Sequence, residues 1–153
     1  MSTKRLIVCF AIVIFIGCLI SCSGQKKSSE VILGEWEFDG IDEVATKELP
    51  EFVEKMKNNA ITKDKNKMFA LIVDVFTEEF GGMKWEFTKD SIVMELKGTK
   101  NSKKLIILAE DKNSVIIDLG EEEPQKLKII DKDHIKYKVP EGPIIIFKRI
   151  SQV

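Results

Sequence analysis

Beyond Cys22 the chain has no cysteine, because the three it carries, Cys9, Cys18 and Cys22, all fall near its start. A domain built from the remainder has no thiol for a disulfide, a metal or a nucleophile, so its stability has to come from a packed core. Histidine is scarcer still: His134 stands alone, in DKDHIKY beside Asp131 and Asp133. That set falls short of the ligands a metal needs and reads as turn chemistry between strands. There is no Gly-x-Ser-x-Gly elbow, no P-loop, no Gly-x-Gly-x-x-Gly turn and no His-Glu-x-x-His helix, which removes the nucleophile, nucleotide and zinc chemistries those motifs signal. DKNK, Asp64 to Lys67, lacks the glycine and the later glutamate of a calcium loop. Acids stand together at Glu78 and Glu79 and from Glu121 to Glu123, but neighbours in a helix end or a turn do not face each other across a cleft, as glycoside hydrolysis requires. No catalytic residue, no metal ligand and no cofactor is therefore predicted, and the chain is not expected to be an enzyme.

Charge of one sign is missing too. Lys and Arg number 24 against 25 Asp and Glu, a net charge of -1, and the lysines form no block beyond short pairs. A nearly neutral domain without interleaved aromatic and basic residues has no footprint for nucleic acid.

What is present begins with the N-terminus. Lys4 and Arg5 precede an unbroken apolar run from Leu6 to Ile20, and the small residues Ser21, Cys22, Ser23 and Gly24 follow. A basic start, an apolar stretch and a small-residue exit make residues 1–21 a signal peptide, and the run is shorter than the roughly 20 residues of a spanning helix. Leu19 to Cys22, LISC, resembles the lipobox of bacterial lipoproteins. The resemblance implies cleavage before Cys22 and a diacylglyceryl thioether on its sulfur. Two acyl chains give durable attachment, since each buried methylene contributes about 0.8 kcal/mol and one chain holds only marginally. Residues 22–30, which include SGQKKSSE, then read as a lipid-anchored flexible tether. By the same resemblance the protein is exported and held to a bacterial membrane. Ser23, not Asp, follows Cys22, which allows the outer membrane if there is one; otherwise the external face of the cytoplasmic membrane is implied.

Residues 31–153 suffice for one domain with a real core. In VILGEWEFD, Ile32, Gly34, Trp36 and Phe38 alternate with Glu35, Glu37 and Asp39, the period-two pattern of a strand with one wet face. The period then changes over a helical insert at about 42–80. Leu49, Val53, Met56 and Ala60 recur at helical spacing, and Thr62 is placed to cap a second helix striped by Met68, Ile72, Phe76 and Phe80. Short alternating segments bounded by turns follow: KWEFTK, SIVMELK with Ile92, Met94 and Leu96 on the inward face, KLIILA with Leu105, Ile107 and Ala109, SVIIDL, QKLKII, HIKYKV with Ile135, Tyr137 and Val139, and IIIFKRI, with GTKNS read as one of the turns. The expected fold is mainly β, an antiparallel up-and-down barrel or half-barrel of about eight strands with a two-helix insert after the first strand.

Gly34, Glu35 and Trp36 are similar to the Gly-x-Trp opening of lipocalins and related calycins, and Arg149 lies in the last strand. The resemblance implies that Arg149 packs over Trp36 and that Gly34, Trp36 and Arg149 close the base of the barrel. The helical insert also looks like the lid of fatty-acid-binding proteins, although IIIFKRI lacks their Arg-x-Tyr, the insert is longer and the strands are fewer. Met68, Phe69, Ile72, Phe76, Phe80, Trp85, Phe87 and Met94 are the residues placed to line a pocket for a small hydrophobic ligand. The same stripes also fill ordinary cores. Two readings of function stay open on the sequence: an anchored binder of a small hydrophobic ligand, or an anchored interaction module with a filled core whose partner is another envelope protein.

Overall fold

Alternation in the first apolar segment is realised as β1 (Gly34–Ile41), with Gly34 and Trp36 buried and Glu35 and Glu37 exposed. The structure, a computed structural model, describes residues 26–50, 54 and 64–151. The signal peptide, Cys22 and most of the first predicted helix lie outside them. After β1 come α2 (Glu43–Lys47), α3 (Lys65–Phe80), β2 (Lys84–Phe87), β3 (Ser91–Leu96), β4 (Thr99–Lys104), β5 (Ile106–Asp111), β6 (Ser114–Asp118), β7 (Gln125–Ile129), β8 (His134–Lys138) and β9 (Ile144–Ser151); α1 (Ser28–Val31) precedes them.

All described strands belong to one nine-stranded sheet in the order β4-β3-β2-β1-β9-β8-β7-β6-β5, and every neighbouring pair is antiparallel. Pairing of β1 with β9 sets Trp36 opposite Arg149 and Phe38 opposite Phe147. The sheet curls strongly. β2 and β8 are three spacings apart, about 14 Å in a flat sheet, yet the rings of Trp85 and Tyr137 lie 5.0 Å apart on the inner face. The fold is thus mainly β, a nearly closed antiparallel barrel with α2 and α3 inserted after the first strand.

Its closure is carried by the chain itself. The two end strands of the sheet, β4 and β5, are consecutive and separated only by Leu105. One residue does not reverse a chain, since a tight turn needs two central residues. A single ribbon therefore runs on, pairing with β3 through its first half and with β6 through its second. Leu105 is buried at the junction, and its N–H donates to the Asp90 carbonyl at 2.8 Å. Lys103 on β4 reaches Glu121, beyond β6, as an ion pair across the remaining gap.

Four sequence expectations are corrected. GTKNS is not a turn: the reversal is made by Lys97 and Gly98, with φ of 50° and 81°, the left-handed pair that two-residue hairpins require. The residues after it form β4, the strand that raises the count from eight to nine; its TKNSKK has no apolar alternation to detect. KLIILA was expected to turn Ile107 and Ala109 inward, but a register shift between them leaves all of β5 exposed. The tether ends early, because the Ser28 hydroxyl donates to the Asp111 carbonyl and the Ser29 N–H to the Glu110 carboxylate at 2.9 Å, folding α1 onto β5. The cap of α3 is Asp64, whose carboxylate accepts from the N–H groups of Asn66 and Lys67; Thr62 lies outside the described residues.

The short helix α2 was not anticipated, and it is built by capping and not by periodicity. Asp42 accepts from the Ala45 N–H at 3.1 Å and also pairs with Lys136 of β8. Fully buried Thr46 accepts from the Ile144 N–H at 3.0 Å. These bonds pin the start of the helical insert over the start of β9. Burial pushes the Asp42 carboxyl up, but the bonds from Lys136 and Ala45 outweigh it and hold the group below its ordinary 3.8. A folded value below the unfolded one means stability that is complete at neutral pH and is lost as the pH falls through the carboxylate range. Asp42→Asn, which keeps the cap, is expected to flatten the drop in urea midpoint between about pH 7 and pH 3 by an amount worth about 1 kcal/mol. An unchanged acid dependence in this variant would contradict the assignment.

Candidate ligand-binding cavity

Strand registry stacks inward-facing side chains in rows. Trp85 of β2 lies opposite Met94 of β3, which lies opposite Asn101 of β4, and Leu96 faces Thr99. On the other wall Tyr137 of β8 pairs with Ile145 of β9. These rows, together with Val139, Met83 and Phe80 at the end of α3, enclose an open cavity of about 570 Å³, with Lys97 of the β3–β4 turn at its edge. That volume lies within the range of small-molecule sites.

The floor is aromatic. Trp85 stacks on Phe147 with ring centroids 4.2 Å apart and meets Phe87 edge-on at 5.8 Å. Phe87 and Phe147 are fully buried beneath it. Polar groups border one side, where the Tyr137 hydroxyl donates to Gln125 Oε1 at 3.2 Å and the Gln125 amide donates to the Glu123 carbonyl at 3.1 Å and toward Glu121 Oε2 at 3.4 Å. With the Lys103–Glu121 pair, a polar chain runs from β8 to β4 beside the cavity. Burial, and then the Glu121 charge, push the Tyr137 hydroxyl up to about 12, so it keeps its proton at physiological pH. Among the described residues the indole N–H of Trp85 meets no hydrogen-bond partner.

Of the residues predicted to line a pocket, the structure brings Phe80, Trp85 and Met94 together at the cavity. The other five are elsewhere. Phe87 lies under the floor; Phe76 stacks on Phe80 at 5.7 Å, one layer out; Met68 and Phe69 are buried on α3, with Lys47 Nζ 4.3 Å from the Phe69 ring centroid; and half-buried Ile72 is not among the lining residues. The helical stripe follows a period of 3.6, and only its last member reaches the barrel mouth. Sequence reasoning missed Tyr137, Val139 and Ile145 as lining residues. Leu96, Tyr137 and Val139 sat on the inward face of the alternation, the one signal available, but that pattern does not tell a cavity wall from a filled core.

At the opposite end, the Arg149 guanidinium lies 4.1 Å from the Trp36 ring centroid. Its nitrogens donate to the carbonyls of Val31, Leu33 and Lys132. Burial lowers the affinity of this group for its proton, and Asp133 opposes the effect. The Trp36 N–H donates to the Ile32 carbonyl at 2.7 Å. Gly34 leads into this base with φ of 114°, a conformation glycine adopts at no steric cost. His134 Nδ1 lies 3.0 Å from Asp131, and among the described residues no three His, Cys, Asp or Glu side chains gather as a metal site. No family model, no curated protein and no solved structure matches this chain.

Proposed function

We propose that this chain is an exported bacterial lipoprotein, anchored to the membrane through acylated Cys22, whose lipocalin-like barrel binds a small hydrophobic ligand without transforming it. The observation that carries the binding reading is the apolar-walled cavity of about 570 Å³ over the Trp85 floor. An aromatic floor with a few convergent polar groups at the side is the composition of a site for an apolar molecule with one polar end. The anchor rests on the basic start, the apolar run and LISC, and it sets the barrel close to the source of such molecules, the membrane. Residues 22–27 remain as tether once α1 is folded onto β5, and at about 3.3 to 3.6 Å per residue they hold the barrel near the headgroups. With an outer membrane present, that is the proposed address; without one, the external face of the cytoplasmic membrane is.

One observation favours the alternative, an interaction module for another envelope protein. Ile106, Ile107 and Leu108 of β5 are exposed in succession, and exposed apolar strand edges invite pairing. Its companion requirement, a filled interior, agrees poorly with the cavity.

Full-length protein is expected to bind an uncharged, environment-sensitive dye saturably at one site per chain, with apolar compounds competing for it. Absence of saturable binding would overturn the ligand reading. For the anchor, Cys22→Ser is expected to abolish incorporation of labelled fatty acid and to release the protein from its thioether attachment; labelling that persists in this variant would sink the lipobox assignment.

A further inference from the structure

β5 differs from the rest of the sheet in that all six of its residues are exposed. It is also an end strand, paired with β6 on one side and with no described strand on the other. Backbone groups of a strand point alternately to its two edges. The Leu105 N–H turns to the Asp90 carbonyl, just ahead of β3. The groups of Ile107, next on that edge, therefore point to the side where β5 has no described neighbour. α1 is bonded to Glu110 and Asp111 at the far end of the strand, so the open length is centred on Ile106, Ile107 and Leu108. Proteins blunt such edges with a charge, a proline or a bulge. β5 has a register shift between Ile107 and Ala109, but the residue it sets free, Leu108, is itself apolar and exposed.

The charges that flank this apolar stretch select its partner. KKLIILAED, Lys103 to Asp111, carries two cations at one end, two anions at the other and Ile107 at its centre. An antiparallel strand of the same sequence, related by a two-fold axis through Ile107, sets Ile107 against itself, Ile106 against Leu108 and Lys104 against Glu110. Opposite charges that face each other across strands attract and like charges repel, and a parallel copy would set lysine on lysine and acid on acid. Lys103 already pairs with Glu121, whereas exposed Lys104 meets no acid among the described residues. We infer that two copies of this chain pair edge to edge through β5, antiparallel about Ile107, so that Lys104 of each faces Glu110 of the other. The contact is isologous and closes on itself, giving a dimer and no filament. So short an edge makes a small interface, so the pair is weak in dilute solution and is favoured when both copies are held on one membrane, as proposed above. Because α1 is bonded to the end of β5, the two tethers then start within about 30 Å of each other, at roughly 3.4 Å per residue along the seam. What the cavity holds has no bearing on this pairing.

The test uses full-length protein in detergent with micelles in large excess, so that two anchors do not meet by sharing one. Ile107→Cys puts a thiol on the two-fold axis, and a short bifunctional thiol reagent is expected to link this variant into dimers and into nothing larger. Lys97→Cys, on the β3–β4 turn, and the unsubstituted chain are the references and are expected to stay monomeric. Monomers from Ile107→Cys, or equal linking in a reference, would overturn the proposal, and a ladder of larger species would contradict its two-fold symmetry. Charge reversal then reads the register. In the Ile107→Cys background, Lys104→Glu sets like charges opposite each other at two places and is expected to cut linking about tenfold, as is Glu110→Lys. The two changes together restore the opposition and are expected to recover most of the yield. Unchanged linking in Lys104→Glu, or a double variant that links no better than either single one, would mean that the copies do not pair in this register. All the substituted positions are exposed, and circular dichroism checks that each variant is folded.

Discussion

Replacing Arg149 by methionine is expected to lower the unfolding free energy by about 3 kcal/mol, with a fall in midpoint of roughly 10 °C. The side chain ties three segments together: the lead-in to β1 at Val31 and Leu33, the last strand that carries it, and the β7–β8 turn at Lys132. Methionine fills much of the space over Trp36 but leaves three carbonyls without their charged donor. Each such bond is worth roughly 1.5 to 3 kcal/mol, and the contact with the indole adds about 0.5 to 2, against the recovered desolvation of the guanidinium. Lysine separates charge from geometry. Because the planar fork reaches several carbonyls at once and an ammonium does not, Arg149→Lys is expected to recover less than half of the loss. Full recovery in thermal or urea unfolding would mean that charge alone holds this end of the barrel.

Met94→Glu is expected to weaken ligand binding about a hundredfold or more while the free protein stays folded. Met94 is half-buried on the cavity wall opposite Trp85, where water can solvate a carboxylate until a ligand displaces it. Stripping that water, with Lys97 exposed at the cavity edge as the nearest lining cation, costs several kcal/mol, of which about 2.7 already corresponds to a hundredfold. Phe76→Ala is the contrasting variant. Its ring supports Phe80 without lining the cavity, so binding is expected to change by only a few fold, although the sequence placed Phe76 among the lining residues. Dye titration of both variants, with circular dichroism as the check on folding, reads the contrast. Retained affinity in Met94→Glu would move the ligand away from this wall.

Fold class was legible because burial imprints a period of two. Glu35, Trp36 and Glu37 alternate in sequence and in exposure alike, and KWEF, SVIID and HIKYK do much the same. β4 was illegible for the complementary reason: TKNSKK is held by backbone pairing to β3, and backbone bonds leave no mark on side-chain polarity. The bulge between Ile107 and Ala109 shifts the parity of an apolar run, so KLIILA names the right residues for a strand and the wrong face for them. Helix α3 was legible in its stripe and its end, whereas α2 depends on a cap at Asp42 and on contacts with Lys136 and Ile144, distant in sequence. The cavity was half legible. Composition offered Phe80, Trp85 and Met94, but the opposing wall of Tyr137, Val139 and Ile145 is brought in by the pairing of β1 with β9 and the curl of the sheet, which alternation alone does not predict.

Native mass spectrometry on gently purified full-length protein tests the binding reading most directly. The account predicts a population heavier than the acylated chain by the mass of one small apolar molecule, lost on denaturation. A chain that shows only its own acylated mass, before and after incubation with a lipid extract, would contradict it and turn attention to the exposed edge of β5.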